Sequence, residues 1–362
     1  MILRSAPPIP RRGMPLRAAL AAGVVLAAFA LPGCTSGEAP GAEGTIALLL
    51  PDVKTARYET FDRPYFEERV AELGDFKVLY SNADQDAAKQ QQQAESALAA
   101  GAQVLVLDAV DTKAAASIVA EATTQGVPVI SYDRLIAGGD LAYFVSFDNE
   151  QVGELQATAL VEGLEAAGDA GGGILMVNGS PTDSNAALFR DGADAILRAS
   201  DLRILAEYDT PDWSPDKAQE WVAGQIAQYG DQIAGVYAAN DGTASGAISA
   251  LRAAAVEPLP IVTGQDAELS ALQRIITGDQ YMTVYKAIEP QAQRAAEVAV
   301  ALLRGEEVTA PMRIDGTPTT LLTPVAVTVD NILDTVVADG FWTVDDICTA
   351  DYRAACESAG IL

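Results

Sequence analysis

The sequence predicts an α/β protein of two lobes, each a parallel β-sheet covered by helices on both faces. Three observations lead there. From Thr45 onward, short apolar runs alternate with longer amphipathic stretches, the pattern of parallel strands joined by crossover helices. The series restarts after Phe147, which suggests a second domain of the same kind. The chain has 362 residues, too many for one ordinary domain and comfortable for two.

The first series places strands at "TIALLL" (45–50), "FKVLYS" (76–81), "AQVLVLD" (102–108), "VPVIS" (127–131) and "AYFVSF" (142–147). Helices are expected near 62–73, 85–99 and 113–124. The second series has "GILMVN" (173–178), "RILAEY" (203–208), "AGVYAA" (234–239) and "PIVTG" (260–264), with helices near 150–167, 184–199, 215–229 and 243–254. A helix at 267–277, a strand "MTVYKA", a helix at 289–304 and the extended "TTLLTPVAVTV" follow. That is too little for a third domain. These elements are expected to return and complete the two sheets, so that the chain crosses between lobes more than once. The resulting division is 45–146 plus 267–312 for the first lobe and 149–264 plus 320–362 for the second.

Composition narrows the function. The hydrophobic fraction is 49% and the charged fraction 20%, which is globular. Twenty-three basic against 50 acidic residues leave a formal charge of −27, so nucleic acid is not an expected partner. There is no histidine, which removes Ser-His-Asp and Cys-His catalysis and His-based zinc sites. A dinucleotide enzyme needs G-x-G-x-x-G after its first strand. Here "TIALLLPDVKT" has no glycine there, and the glycines of "AGGGILM" precede a strand instead. The expectation is a protein that is not an enzyme and has neither cofactor nor metal.

The N-terminus is a separate object. Arg4, Arg11, Arg12 and Arg17 lead into the apolar "AALAAGVVLAAFAL" (18–31) and then "LPGC". A basic stretch before a short apolar run marks a secretion signal, here residues 1–33, and the run is too short for a comfortable membrane span. "LPGC" resembles a bacterial lipobox, which implies lipid on Cys34, followed by a polar tether over 34–44. Loss of residues 1–33 removes four arginines and no acid, leaving 19 basic and 50 acidic residues and a net −31. The expected location is outside the cytoplasm, in the periplasm or on the outer face of the cell membrane, with the lipid as the only membrane contact. In that oxidising setting Cys348 and Cys356 are expected to form a local disulfide.

In open parallel sheets, ligands bind beyond the carboxyl ends of the strands. Those ends carry polar and aromatic side chains in both series. "TIALLL" runs toward Lys54, Arg57 and Tyr58; "VPVISY" ends in Asp133 and Arg134; "GILMVN" leads to Asn185 and Arg190. "RILAEY" is followed by Trp213, "AGVYAA" by Asn240 and Asp241, "PIVTG" by Asp266, and "MTVY" by Lys286. Adjacent residues on an extended chain point to opposite sides, so Asp133 and Arg134 are not expected to pair with each other. A polyhydroxylated ligand asks for such a set. Sugar hydroxyls donate and accept, charged hydrogen bonds are worth roughly 1.5–3 kcal/mol, and flat rings such as Tyr58 and Trp213 suit the apolar face of a pyranose. Asp241 is expected to cap the helix that follows it, with Asn240 looking inward.

The strings "SYDRLI", "VSFDNEQVGELQA", "GSPTDSNAALFR", "ANDGTASGAISAL", "GQDAEL", "MTVYKAI" and "LLTPVAVTVDNILDTVVADGF" carry a resemblance. Over residues 45–340 the chain resembles the periplasmic sugar-binding proteins of ABC importers with the type I, ribose/galactose-type fold. Within that family "SFDNEQVGELQA" and "MTVYK" look like its xylose-binding branch. The resemblance implies two Rossmann-like lobes, three crossovers (near 147–149, 265–267 and 315–325) and a monosaccharide, D-xylose, in the cleft. Glucose, galactose or arabinose, or a chemoreceptor-linked sensor role, are the alternatives. It further implies hinge closure on the sugar and delivery by a monomer to a membrane permease with a cytoplasmic ATPase. Carried over by motif, the contacts are Lys54, Arg57, Tyr58, Asp133, Arg134, Asn185, Arg190, Trp213, Asn240, Asp266 and Lys286. One departure stands out: the branch usually has tryptophan where Tyr58 stands, in a loop one residue shorter.

Overall fold

The computed structural model describes residues 42–362. The expected signal, the lipidation site Cys34 and nearly all of the tether lie outside the described residues.

The first lobe alternates β1 (Gly44–Leu50), α1 (Arg63–Leu73), β2 (Phe76–Asn82), α2 (Ala87–Ala99), β3 (Val104–Leu107), α3 (Ala116–Thr124), β4 (Val129–Tyr132) and β5 (Tyr143–Phe147). The second takes up α4 (Asn149–Ala166), β6 (Gly173–Asn178), α5 (Ser184–Leu197), β7 (Arg203–Asp209), α6 (Pro215–Tyr229), β8 (Ile233–Ala238), α7 (Asp241–Ala253) and β9 (Ile261–Val262). Then come α8 (Leu269–Thr277), β10 (Thr283–Tyr285), α9 (Ile288–Leu303), β11 (Met312–Ile314), β12 (Thr317–Leu322) and β13 (Val325–Val327), and the chain closes with α10 (Val344–Ile347) and α11 (Arg353–Ser358).

Seven strands form the first sheet in the order β11-β12-β5-β4-β3-β1-β2, and four form the second as β7-β6-β8-β9. All pairings are parallel except the β11–β12 hairpin and the β10–β13 pair. The central strands β3, β4, β5 and β6 are buried at every residue. Their unbroken apolar runs have no solvent face to serve, because helices cover both sides. α1 and α9 pack on one face of the first sheet and α2 with α3 on the other. In the second lobe α4 and α5 oppose α6 and α7. Helices α4 and α5 approach at two glycines. A Cβ on Gly153 would lie 1.9 Å from the Phe189 carbonyl oxygen, and one on Gly192 2.0 Å from that of Glu150.

The returning elements divide differently from the expectation. α8 and β10 do not join the first lobe. Tyr281 N donates to Val262 O, Val284 N to Gly264 O and Asp266 N to Val284 O (2.9, 3.0 and 2.8 Å), so β10 continues the second sheet beside β9. Placing 267–285 in the first lobe would orphan those buried backbone groups. α9 then packs on the first sheet, β12 adds beside β5, and β13 pairs with β10. The three crossings therefore fall at 147–149, at 286–287 and at 323–324. The middle one is not at 265–267.

The C-terminal segment lies over these crossings rather than belonging to the second lobe alone. Phe341 stacks on Phe61 of the first lobe with ring centroids 3.9 Å apart, while Trp342 Nε1 donates to Ala267 O at 2.9 Å. Cys348 and Cys356 are joined by a disulfide there, both buried. No helix among the described residues is long and apolar enough to cross a membrane.

Candidate functional site

A cavity lies between the lobes, at the carboxyl ends of both sheets. The lobes are closed on each other. At the rim, Thr112 N and Oγ1 both donate to Thr182 O (3.0 and 3.2 Å), and Thr182 Oγ1 donates to Val110 O at 3.2 Å.

The first-lobe wall is a network of charged side chains. The turn after β1 is held by Asp52, whose Oδ1 accepts from the backbone of Lys54 and Thr55, both at 2.8 Å. That turn delivers Arg57, which is 3% exposed. Its Nε and Nη2 grip both oxygens of Asp62 (2.9 and 2.8 Å), Nη2 also donates to Gln291 Oε1 (2.9 Å), and Nη1 donates to Asp133 Oδ1 (3.1 Å). Four of the five guanidinium N–H groups are thus committed inside the lobe, and the main effect of Arg57 is to orient Asp133. Tyr132 donates its hydroxyl to the same Asp62. Gln291 Nε2 adds a bond to Asp133 Oδ1 at 3.3 Å.

Asp133 ends β4 in the left-handed region, φ 61°, a conformation that non-glycine residues adopt at a cost and that concentrates at functional sites. Burial pushes its carboxyl up, but Arg57, Lys286 and Arg134 outweigh burial and hold it well below the usual carboxylate range. Among the described residues its Oδ2 meets only a long bond from Asn185, 3.4 Å. An ionised carboxylate with an oxygen so lightly engaged is an acceptor for a hydroxyl.

Arg134 turns the other way, from the bend that follows β4. Its Nη2 donates to Tyr58 Oη (3.1 Å) and Nη1 to Ala109 O (2.9 Å). Nε lies 2.8 Å from Asp183 Oδ2 and 3.4 Å from Asp108 Oδ1, ion pairs whose angles fall short of hydrogen bonds. Burial drives the Asp108 carboxyl well above its ordinary range, and that of Asp183 also rises; Arg134 opposes both.

The second-lobe wall is built on helix N-termini. Asp183 caps α5 by accepting from Asn185 N at 2.8 Å, and its Oδ2 accepts from Trp213 Nε1 at 3.1 Å. Asn185 Nδ2 reaches across to Asp133 O at 3.2 Å. Trp213 is held against a bare backbone: a Cβ on Gly179 would lie 2.1 Å from its ring. Asn240 and Thr243 form a reciprocal cap on α7, with Asn240 Oδ1 accepting from Thr243 N at 2.8 Å. The amide NH₂ of Asn240 remains for the cavity it lines. Lys286, at the middle crossing, sits 3.0 Å from Asp266 Oδ1. Asp212, Trp213, Asp266 and Ala267 all have positive φ, so the second wall is as conformationally constrained as the first.

Nine of the eleven sequence-derived candidates line this cavity: Arg57, Tyr58, Asp133, Arg134, Asn185, Trp213, Asn240, Asp266 and Lys286. Two do not. Lys54 points to solvent from the first-strand loop, whose inward residues are Thr55, Arg57 and Tyr58. Arg190 pairs with Glu207 and Asp209 on the surface, with a side chain 40% exposed. Asn185 and Phe189, four apart on α5, share the inward face, and Arg190 lies a third of a turn beyond it. Roles on α7 also differ from expectation. Asn240 is the cap, and Asp241 is buried in the helix's first turn, where it accepts from Glu268 N, Gln280 Nε2 and Thr283 Oγ1 (2.9, 2.8 and 2.9 Å). The cavity also presents Gln265, which stands beside Asp266 at the end of "PIVTG", and Thr55, Asp183 and Phe189, which the strand-end reading passes over. Asp183 had a signal: an Asp directly before "SNAALF" is a helix-cap pattern.

Comparisons with known proteins agree with this geometry. A family profile described as "Periplasmic binding protein domain" matches residues 46–307. The D-xylose-binding periplasmic protein of Escherichia coli (strain K12) is 36% identical over 315 residues, covering 85% of this chain and 93% of that one. The protein of the same name from Haemophilus influenzae is 35% identical, covering 86% and 94%. Among solved structures, an ABC transporter solute-binding protein from Clostridium phytofermentans with bound β-D-glucose superposes with a TM-score of 0.77 at 27% identity, covering 84% of this chain and 99% of that one. The chain belongs to the periplasmic sugar-binding proteins of the type I, two-lobed fold, which are solute-binding proteins and not enzymes.

Proposed function

We propose that the protein captures a single pentose, D-xylose, between its lobes and delivers it to the permease of an ABC importer. The observation that carries this reading is the convergence, in one closed cavity, of an ionised Asp133, the cations Arg57, Arg134 and Lys286, the amides Asn185 and Asn240, and the ring of Trp213. These are the acceptors, donors and flat face that a pyranose requires. The two D-xylose-binding relatives support the choice of pentose. Closure about the three crossings is a hinge motion of a familiar type. The exported protein acts as a monomer, tethered by lipid on Cys34, and a cytoplasmic ATPase drives the permease. Asp133, Arg134, Asn185, Asn240, Asp266 and Lys286 hold the sugar hydroxyls, while Tyr58 and Trp213 flank its faces.

A second reading, a hexose such as glucose, is favoured by the glucose-bound structural neighbour. It is also favoured by Tyr58, whose hydroxyl is tied to Arg134, where the xylose branch usually carries tryptophan. Calorimetric titration against xylose, glucose, galactose, ribose and arabinose separates the two. Micromolar or tighter binding with xylose ranked first supports the proposal. A higher rank for glucose moves the assignment to the hexose, and no binding of any of the five removes the sugar reading.

A further inference from the structure

Arg134 stands between two carboxylates that belong to different lobes. Asp108 follows β3, and β3 pairs with β4, so Asp108 and Arg134 travel together when the lobes move. Asp183 precedes α5 in the second lobe and travels with that lobe instead. In the closed arrangement Arg134 Nε is 2.8 Å from Asp183 Oδ2 and 3.4 Å from Asp108 Oδ1. Asp108 is completely buried, and among the described residues neither of its oxygens accepts a hydrogen bond. A buried carboxylate without donors calls for an explanation. The guanidinium beside it offers one, if it is shared over the working cycle rather than held.

We propose that Arg134 exchanges carboxylates as the cleft works, bound to Asp183 when the lobes are closed and to Asp108 when they part. Asp183 is then a positioning residue for capture. It fixes Arg134 and, through Trp213 Nε1, the ring on the other side of the cavity, while the neighbouring Thr182 closes the rim on Thr112. Asp108 is the positioning residue for release: it keeps opening from stranding a buried guanidinium without a counter-charge, the arrangement that makes broken buried ion pairs so unfavourable. The exchange makes the cleft a two-state element, with one cation satisfied in both states.

The kinetic part of this inference rests on the sugar-capture reading; the conformational part does not. The full-length protein, spin-labelled once on each lobe, gives the interlobe distance distribution without sugar, and stopped flow gives D-xylose association and dissociation. Asp183→Asn keeps a good cap for α5 but removes the charge. Dissociation is expected to rise about tenfold, about 1.4 kcal/mol, with association changed far less, since the Arg134–Asp183 ion pair is lost from the closed form only. Its closed fraction falls. Asp108→Asn loses little in the closed form and more in the open one, so dissociation slows and the closed fraction rises. Opposite signs from two carboxylates on one arginine are not expected of merely structural groups. The proposal is overturned if Asp183→Asn leaves both the distance distribution and the dissociation rate unchanged, or if both variants shift the closed fraction the same way. Should Asp108→Asn fail to fold by circular dichroism, Asp183→Asn decides alone. Should wild-type protein bind no xylose, the sugar reading fails while the distances still decide the exchange.

Discussion

A buried carboxylate in the first wall and a pair behind the second shift in opposite directions. In the first wall, Asp133 is surrounded by Arg57, Arg134 and Lys286 and is held well below its ordinary range. Behind the second wall, burial and the charge of Asp266 push Asp241 and Glu268 upward, with Asp241 adding to the rise at Glu268, and Arg274 is the cation that opposes them. The first wall is stiffened by a cross-linked ion network within one lobe. The second is stiffened by helix caps, where Asp183 and Asn240 satisfy backbone N–H groups and present their remaining atoms to the cavity. Both methods fix side chains before a ligand arrives, which lowers the ordering cost of binding. They fail differently under mutation and pH.

The largest effect is expected in the ion network. Arg57→Ala leaves Asp62 and Asp133 buried without their shared cation, and breaking a buried pair costs about 3–5 kcal/mol; urea unfolding should show that loss. A variant that unfolds like wild type would show that the first wall does not depend on Arg57. Next comes Trp213→Ala, which empties the place of a ring packed on Gly179 and Phe189. Sugar affinity is expected to fall about tenfold or more, in line with aromatic packing of roughly 0.5–1.5 kcal/mol plus lost buried area.

The pH comparison follows from the signs. Groups raised in the fold hold protons more tightly than in the unfolded chain, so their contribution is complete below the unfolded value and is lost as pH rises through the folded one. Asp241 and Glu268, pushed up to about 7 and about 8, therefore lower stability between roughly pH 4 and 8. Asp133 acts oppositely: its contribution is present above about pH 3.9 and is lost only as pH falls through its depressed value. The thermal midpoint should drop from pH 5 to pH 8, and Asp241→Asn should flatten that slope while Asp133→Asn should not. The smallest effects belong to Lys54→Ala and Arg190→Ala. Both residues lie outside the cavity, and exposed ion pairs such as Arg190–Glu207 are worth about 0–1 kcal/mol, so sugar affinity should stay within about threefold of wild type.

The architecture was legible because the central strands are short apolar runs whose full burial leaves no choice of face. The ownership of α8 and β10 was not. β9 and β10 have two and three residues, and nothing in so short a run says which sheet its backbone will join. The candidate site was legible at strand ends, where topology alone puts Asp133, Asn240 and Lys286. It was less so on helices, where phase matters: counting four residues on from Asn185 leads to Phe189 and would have excluded Arg190. The positive φ angles at Asp133, Trp213 and Asp266 leave no mark in composition, and the buried partners Asp62, Asp108 and Gln291 come from segments that only the fold brings together.

Central to the proposed capture is one ionised carboxylate, Asp133, as the anchor of a sugar between the lobes. The direct measurement is calorimetric titration of D-xylose into wild-type protein and into Asp133→Ala. Saturable binding by the wild type that weakens a hundredfold or more in the variant, about 3 kcal/mol as for a buried charged contact that loses its partner, is the predicted result. Equal binding by the two proteins would contradict it, because the ligand would then lie somewhere other than against this carboxylate.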